Sequence, residues 1–303
     1  MQAALHHVED RAHLTVRGYA SDVRIFERWC TDAGRNALPC TPDTVCLYVL
    51  WLLNKQTRKV TTAARHVSAI VDWHRRSGVE PPTTADAWKA ISSTRKKRDE
   101  RSVGKAAMTP EILRRASKAC DSGTLLGLRD RAMLVIGFAC ALRRSEIAGL
   151  QLADVSFQAK GCAVMLRRSK TDQQGEGRYI GAWHGKRALT DPVQTLTEWI
   201  AARGSWRGPL FCRIQNKDTL VKRSITGEYV NDVVKRVLKT AGIDAEPYGA
   251  HSLRIGAVTA AAEIGGTDTE LMGLSGHRST AVMRGYVRPG RVFSGRNPLA
   301  GVL

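Results

Sequence analysis

From residue 15 to 33 the apolar positions Val16, Tyr19, Val23, Phe26 and Cys30 recur every three or four residues, which marks one face of an amphipathic helix. Asp32-Ala33-Gly34 ends it. Thr41-Pro42-Asp43 then places a cap residue before a Pro at the first helical position. The next run, VCLYVLWLLNK, is apolar nearly all round and predicts the central helix of a bundle. A third helix over 61–77 turns Ala64, Val67, Ile70 and Val71 inward and stops at Gly78 and Pro81-Pro82. A shorter helix near 84–93 completes an all-helical N-terminal domain spanning 1–93.

Residues 94–107, TRKKRDERSVGKAA, are rich in Lys and Arg and hold almost nothing to bury. They read either as a basic interdomain linker, with Arg95, Lys96, Lys97 and Arg98 as candidate DNA contacts, or as the solvated charged end of a helix. The second domain, 108–303, opens with Thr109 as cap and Pro110 at the first helical position. A charged helix leads to GLRDRAMLVIGFACAL, a buried helix too short for a membrane span. The period then changes to two. AVMLRRSK and GRYIGAW predict the strands of a β-hairpin around a polar turn at 171–177. Helices are expected near 192–202, 229–241, 252–264 and 269–274, with a strand at 210–214. The fold class is mainly α, with a small antiparallel sheet in the second domain.

Composition sharpens this picture through charge. The chain carries 47 Lys plus Arg against 28 Asp plus Glu, a net charge of +19, so a polyanion is the natural partner. Residues 1–107 hold 18 basic and 11 acidic side chains, so the excess is spread along the chain and both domains are equipped to touch nucleic acid. Seven cysteines with no C-x-x-C pair indicate neither a disulfide framework nor a zinc site. The N-terminus lacks the apolar core of a signal peptide, which leads to the expectation of a soluble cytoplasmic protein, associated with the nucleoid when bound to DNA.

Phosphate-binding loops, dinucleotide fingerprints, H-E-x-x-H and G-x-S-x-G are all missing from the sequence. The chemistry-bearing residues that remain are a set of cationic and proton-transferring groups at element ends: Arg143, Lys170, His251, Arg254, His277 and Tyr286. A pair of planar guanidinium forks suits charge on phosphoryl oxygens. A Lys can protonate a leaving alkoxide, and a Tyr can form a covalent intermediate if a His takes its proton. Each residue alone has an ordinary reading as a helix cap, a solvated turn or a packing ring; their order and spacing speak against all of these holding together.

The succession ALRRSE, SKTD, HSLR, GH, and then Tyr nine residues after that His resembles the pattern of tyrosine recombinases, the phage integrase family. The resemblance implies an N-terminal SAM-like core-binding domain and a mainly helical catalytic domain. It implies Arg143 and Arg254 as catalytic arginines and Glu146 as the acid supporting Arg143, whose spacing to Glu146 selects it over Arg144. It implies Lys170 as general acid toward the 5′-hydroxyl, His251 and His277 as the two histidines, and Tyr286 as nucleophile. Such enzymes exchange strands between two duplex sites through a 3′-phosphotyrosyl bond and a Holliday junction, as homotetramers, without ATP, metal or other cofactor. Two positions depart from the pattern: Ala141 stands where Gly usually precedes Leu-Arg, and Met283 where Thr is common. The competing readings are a type IB topoisomerase, separable by relaxation of any plasmid, and a non-catalytic DNA-binding regulator, separable by the lack of a covalent adduct.

Overall fold

The computed structural model describes residues 13–98, 104–167, 177–277 and 279–280. The chain divides into two compact units, Met1–Val103 and Gly104–Leu303.

The first unit is a bundle of α1 (His13–Asp32), α2 (Pro42–Asn54), α3 (Val60–Arg76) and α4 (Ala85–Arg98). Thr41 caps α2 by accepting the N–H of Thr44 at 3.3 Å, and Pro42 occupies the first turn. Val45, Tyr48, Val49, Leu52 and Leu53 of α2 meet Phe26 and Cys30 of α1, Val67 and Ile70 of α3, and Ala87 and Ile91 of α4. A polar knot inside this core is well partnered. Arg65 donates two hydrogen bonds to buried Asp22, at 2.7 and 2.9 Å, and the His66 ring bridges Asp22 to the Tyr48 hydroxyl.

Of the two readings of the basic stretch, the charged helix end holds for its first part, while the boundary between the two units falls within it, after Val103. Residues 94–98 are the last turn of α4, where four cations complement the negative end of the helix dipole. Arg98 further donates to the carbonyl oxygens of Leu53 and Arg58, closing the C-terminal end of α2. At the other end, Ala106 and Met108 donate their N–H groups to Pro247 and Ser252 carbonyls at 2.9 and 3.0 Å, so this segment is fastened to the second unit.

The second unit runs α5 (Pro110–Ala119), α6 (Leu125–Ala139), α7 (Arg144–Gly149), β1 (Val155–Gln158), β2 (Gly161–Leu166), β3 (Arg178–Trp183), α8 (Pro192–Arg203), β4 (Cys212–Gln215), β5 (Thr219–Ser224), α9 (Gly227–Thr240), α10 (Ala250–Glu263) and α11 (Asp268–Ser275). The expected hairpin is β2–β3, antiparallel, with Met165 opposite Tyr179 and Leu166 opposite Arg178. The sequence reading missed β1, which adds a third strand, and β5, which pairs with β4 around a turn at Asn216 and Lys217. Asn216 and Lys217 both have positive φ, 47° and 67°, as tight hairpin turns require.

That turn also serves a distant helix. The Lys217 carbonyl and the Asp218 carboxylate accept the first N–H groups of α6, from Leu126 and Leu125. Helix α6 can therefore bury Met133, Leu134, Val135 and Ile136 with its start satisfied. Helix α10 crosses so near the chain at 108 that a Cβ on Gly256 would lie 1.9 Å from the Met108 carbonyl oxygen. The seven cysteines are all free thiols, and burial pushes several up, Cys120 to about 12. Among the described residues, no helix is long and apolar enough to cross a membrane.

Candidate active site

Helix α6 ends in a turn that aims the next residues of the chain. Leu142 N–H bonds to the Gly137 carbonyl and Ala141 N–H to the Phe138 carbonyl, both at 2.9 Å, which is the Schellman pattern. Ala141 takes φ +48°, in the left-handed region where Gly is usual. The departure noted in the sequence thus falls at the one residue of this turn whose backbone favours glycine.

Arg143 comes next and is the N-cap of α7. Glu146, at the third helical position, accepts both the Arg143 backbone N–H at 2.8 Å and its Nη1 at 2.6 Å. The carboxylate is nearly enclosed, with 3% of its side chain exposed, while 19% of the Arg143 side chain reaches solvent. Arg144 points its charge elsewhere, pairing with exposed Glu228 at 3.4 Å. The two adjacent guanidinium groups are therefore distinguished by their partners: only that of Arg143 belongs to the buried pair.

Asn231 caps α10 by accepting the Ala250 N–H at 3.1 Å, and the Ser252 hydroxyl oxygen accepts the Gly249 N–H. This sets His251 on the first turn and Arg254 one turn on. Arg254 is 2% exposed. Its Nη1 donates to the Ala141 carbonyl at 2.8 Å and its Nη2 to His277 Nε2 at 3.1 Å. A guanidinium has no lone pair to accept with, so His277 Nε2 is the acceptor and the ring proton sits on Nδ1. Nδ1 lies 2.7 Å from Ser275 Oγ, which in turn donates to the Leu271 carbonyl at 2.6 Å. The relay from Arg254 through His277 to Ser275 is thus closed by a backbone acceptor.

Both histidines are held neutral. Burial lowers the His277 pKa to about 4, helped by the charges of Arg254 and Arg143. His251 is more open to solvent, yet the protein packed around its ring, then Arg254 and Arg143, lower its pKa too.

Arg143, Glu146, His251, Arg254 and His277 are thus brought together. Lys170 and Tyr286 lie outside the described residues, and Arg95, Lys96, Lys97 and Arg98 belong to the other unit. Sequence reasoning missed Arg178, whose charge acts on His277 and which sits opposite buried Leu166 in the β2–β3 register. An Arg at an inward position of an alternating strand was the available signal. Among the described residues, no group of three or more His, Cys, Asp or Glu is placed to hold a metal.

Residues 106–291 match the phage integrase family, and residues 2–76 match the phage integrase N-terminal SAM-like domain. The chain belongs to the phage integrase family: it is a tyrosine recombinase, an enzyme that breaks and rejoins DNA. An integrase/recombinase XerD homolog of Selenomonas ruminantium is 30% identical over 289 residues, covering 94% of this chain and 84% of that protein. Recombinase Cre of Escherichia phage P1 is 26% identical over 287 residues, covering 88% and 81%. In fold, the chain is similar to XerH site-specific recombinase bound to a palindromic difH substrate, with TM-score 0.66, 15% identity and coverage of 93% and 80%. It is also similar to the lambda integrase tetramer bound to a Holliday junction, with TM-score 0.60, 16% identity and coverage of 94% and 75%.

Proposed function

We propose that this chain recombines two specific duplex sites by paired strand exchange through a Holliday junction, as a homotetramer. The observation that carries the chemistry is that two guanidinium groups are each fixed from behind by a protein acceptor. Glu146 takes an N–H of Arg143, and the Ala141 carbonyl and His277 take N–H groups of Arg254. Cations oriented before an anion arrives suit a phosphodiester whose charge grows in the transition state, because no reorganisation is needed at that moment.

In this reading Tyr286 Oη attacks the scissile phosphorus and a Tyr–phosphate bond forms as the P–O5′ bond breaks. His251, neutral because its pKa is lowered, accepts the phenolic proton. Lys170 gives a proton to the departing O5′. A 5′-hydroxyl from the partner duplex then reverses both transfers, so the bond energy is conserved and no nucleotide is consumed. The tetramer rests on the family and on the fold shared with lambda integrase, which forms a tetramer on a Holliday junction.

A pool of nicked duplexes of random sequence, with a metal chelator present, tests this. The protein is expected to become covalently attached to DNA and Tyr286→Phe to bind without attachment. An adduct formed by Tyr286→Phe removes Tyr286 as nucleophile. Relaxation of an arbitrary supercoiled plasmid, with no dependence on paired sites, favours the topoisomerase reading.

A further inference from the structure

Arg178 opens β3 at an inward-facing position, opposite Leu166. Its Nη1 donates to the carbonyls of Gly273 at 2.7 Å and Leu274 at 3.3 Å, both in the last turn of α11. These are carbonyls that a helix end leaves without intrahelical donors, and a cation there also meets the negative end of the dipole. The guanidinium lies against Gly276, where an added Cβ would come within 2.9 to 3.0 Å of Cζ, Nε and Nη2. Gly276, at φ +65°, is the left-handed residue that ends α11, and His277 is its neighbour in the chain.

Nε and Nη2 of Arg178 are buried and, among the described residues, find no hydrogen-bond partner. Burial lowers its pKa against the opposing pull of Glu146, whose carboxylate is already bonded to Arg143. A buried guanidinium with two unsatisfied nitrogens costs stability rather than adding it. An arginine at such a position is better explained by the turn it holds in place.

We propose that Arg178 is a positioning residue: by gripping the end of α11 and pressing on Gly276, it fixes the turn that presents His277 to Arg254. Arg178 also begins β3, eight residues after Lys170 in the chain, so the same grip ties the turn end of the β2–β3 hairpin to the His277 turn. This second consequence rests on the proposed roles of Lys170 and His277.

The test uses Arg178→Met in the full chain, with two readouts. In ¹⁵N-histidine NMR without DNA, the wild type is expected to show His277 as the Nδ1–H tautomer and Arg178→Met to show a mixture of tautomers. With the nicked duplex pool at saturating concentration, adduct formation by Arg178→Met is expected to slow by about tenfold or more, since small misplacements at a reacting centre are amplified, with DNA affinity within about twofold of wild type. An unchanged His277 tautomer, or a rate loss that disappears at saturating DNA, overturns the proposal. Failure of the recombinase reading shows itself differently, as no adduct from the wild type, while the NMR readout still decides the role of Arg178. If Arg178→Met does not fold, Arg178→Lys keeps the charge and one donor without the flat guanidinium, and the same two outcomes apply to it.

Discussion

Arg254 Nη1 donates to the carbonyl oxygen of Ala141 at 2.8 Å, across 113 residues of chain. The acceptor is the backbone of the residue in the left-handed turn that delivers Arg143 two positions later. The spacing between the two site arginines is thus set through the backbone conformation of one alanine.

Substitution at Ala141 should therefore read out in both stability and rate. Ala141→Gly keeps the turn and is expected to fold as the wild type does. Ala141→Val places a β-branched residue at φ +48° and is expected to lose about 2 kcal/mol or more in urea unfolding, with slower adduct formation at saturating DNA. A Val variant as stable as the wild type would falsify the role given to this turn.

The two site histidines make stability depend on pH. The folded pKa of His277, about 4, lies below the ordinary value of 6.5, and that of His251 is shifted the same way. The unfolded chain binds protons first, so this contribution is complete above about pH 6.5 and is lost as pH falls from 6.5 toward 4. Urea midpoints should decline over that window, and His277→Gln should flatten the decline. A bound phosphate favours the imidazolium, so DNA binding near pH 5 is expected to take up protons. Calorimetry in buffers of different ionisation enthalpy measures that uptake directly.

The basic end of α4 separates two kinds of cation. Arg98 is committed to the Leu53 and Arg58 carbonyls, so Arg98→Ala is expected to lower the stability of the first unit by about 1 kcal/mol. Lys96 and Lys97 are exposed in the same turn, and if they meet DNA phosphates, replacing each by Ala should reduce the slope of log affinity against log salt by about 0.9. Salt titrations that leave the slope unchanged would remove them from the DNA interface.

Much of the site was legible because its residues lie at element ends, where sequence signals are strongest. Arg143 and Glu146 stand at cap and third helical position, a local relation fixed by helix geometry alone. His251 and Arg254 share one helical turn for the same reason. Other features depended on contacts that no local pattern reports. The charge run at 94–98 offers nothing apolar, yet it stays helical because its cations meet a helix end and Arg98 finds carbonyls far back in the chain. Strand β5 went unseen because its turn uses Asn-Lys in place of Asn-Gly, and β1 because four residues are too few to show alternation. Arg178 stands at an inward position of its strand, but only the position of α11 reveals the carbonyls that its side chain grips.

Gly256 has no functional group, yet it governs where the charges lie. With the Met108 carbonyl oxygen 1.9 Å from the place its Cβ would occupy, even one methyl group there forces α10 away from the chain beneath it. His251 and Arg254 ride on that helix, and Arg254 must still span to a carbonyl fixed at the end of a different one. The reach of Arg254 is therefore gauged by a missing carbon atom, at a position that bears no charge.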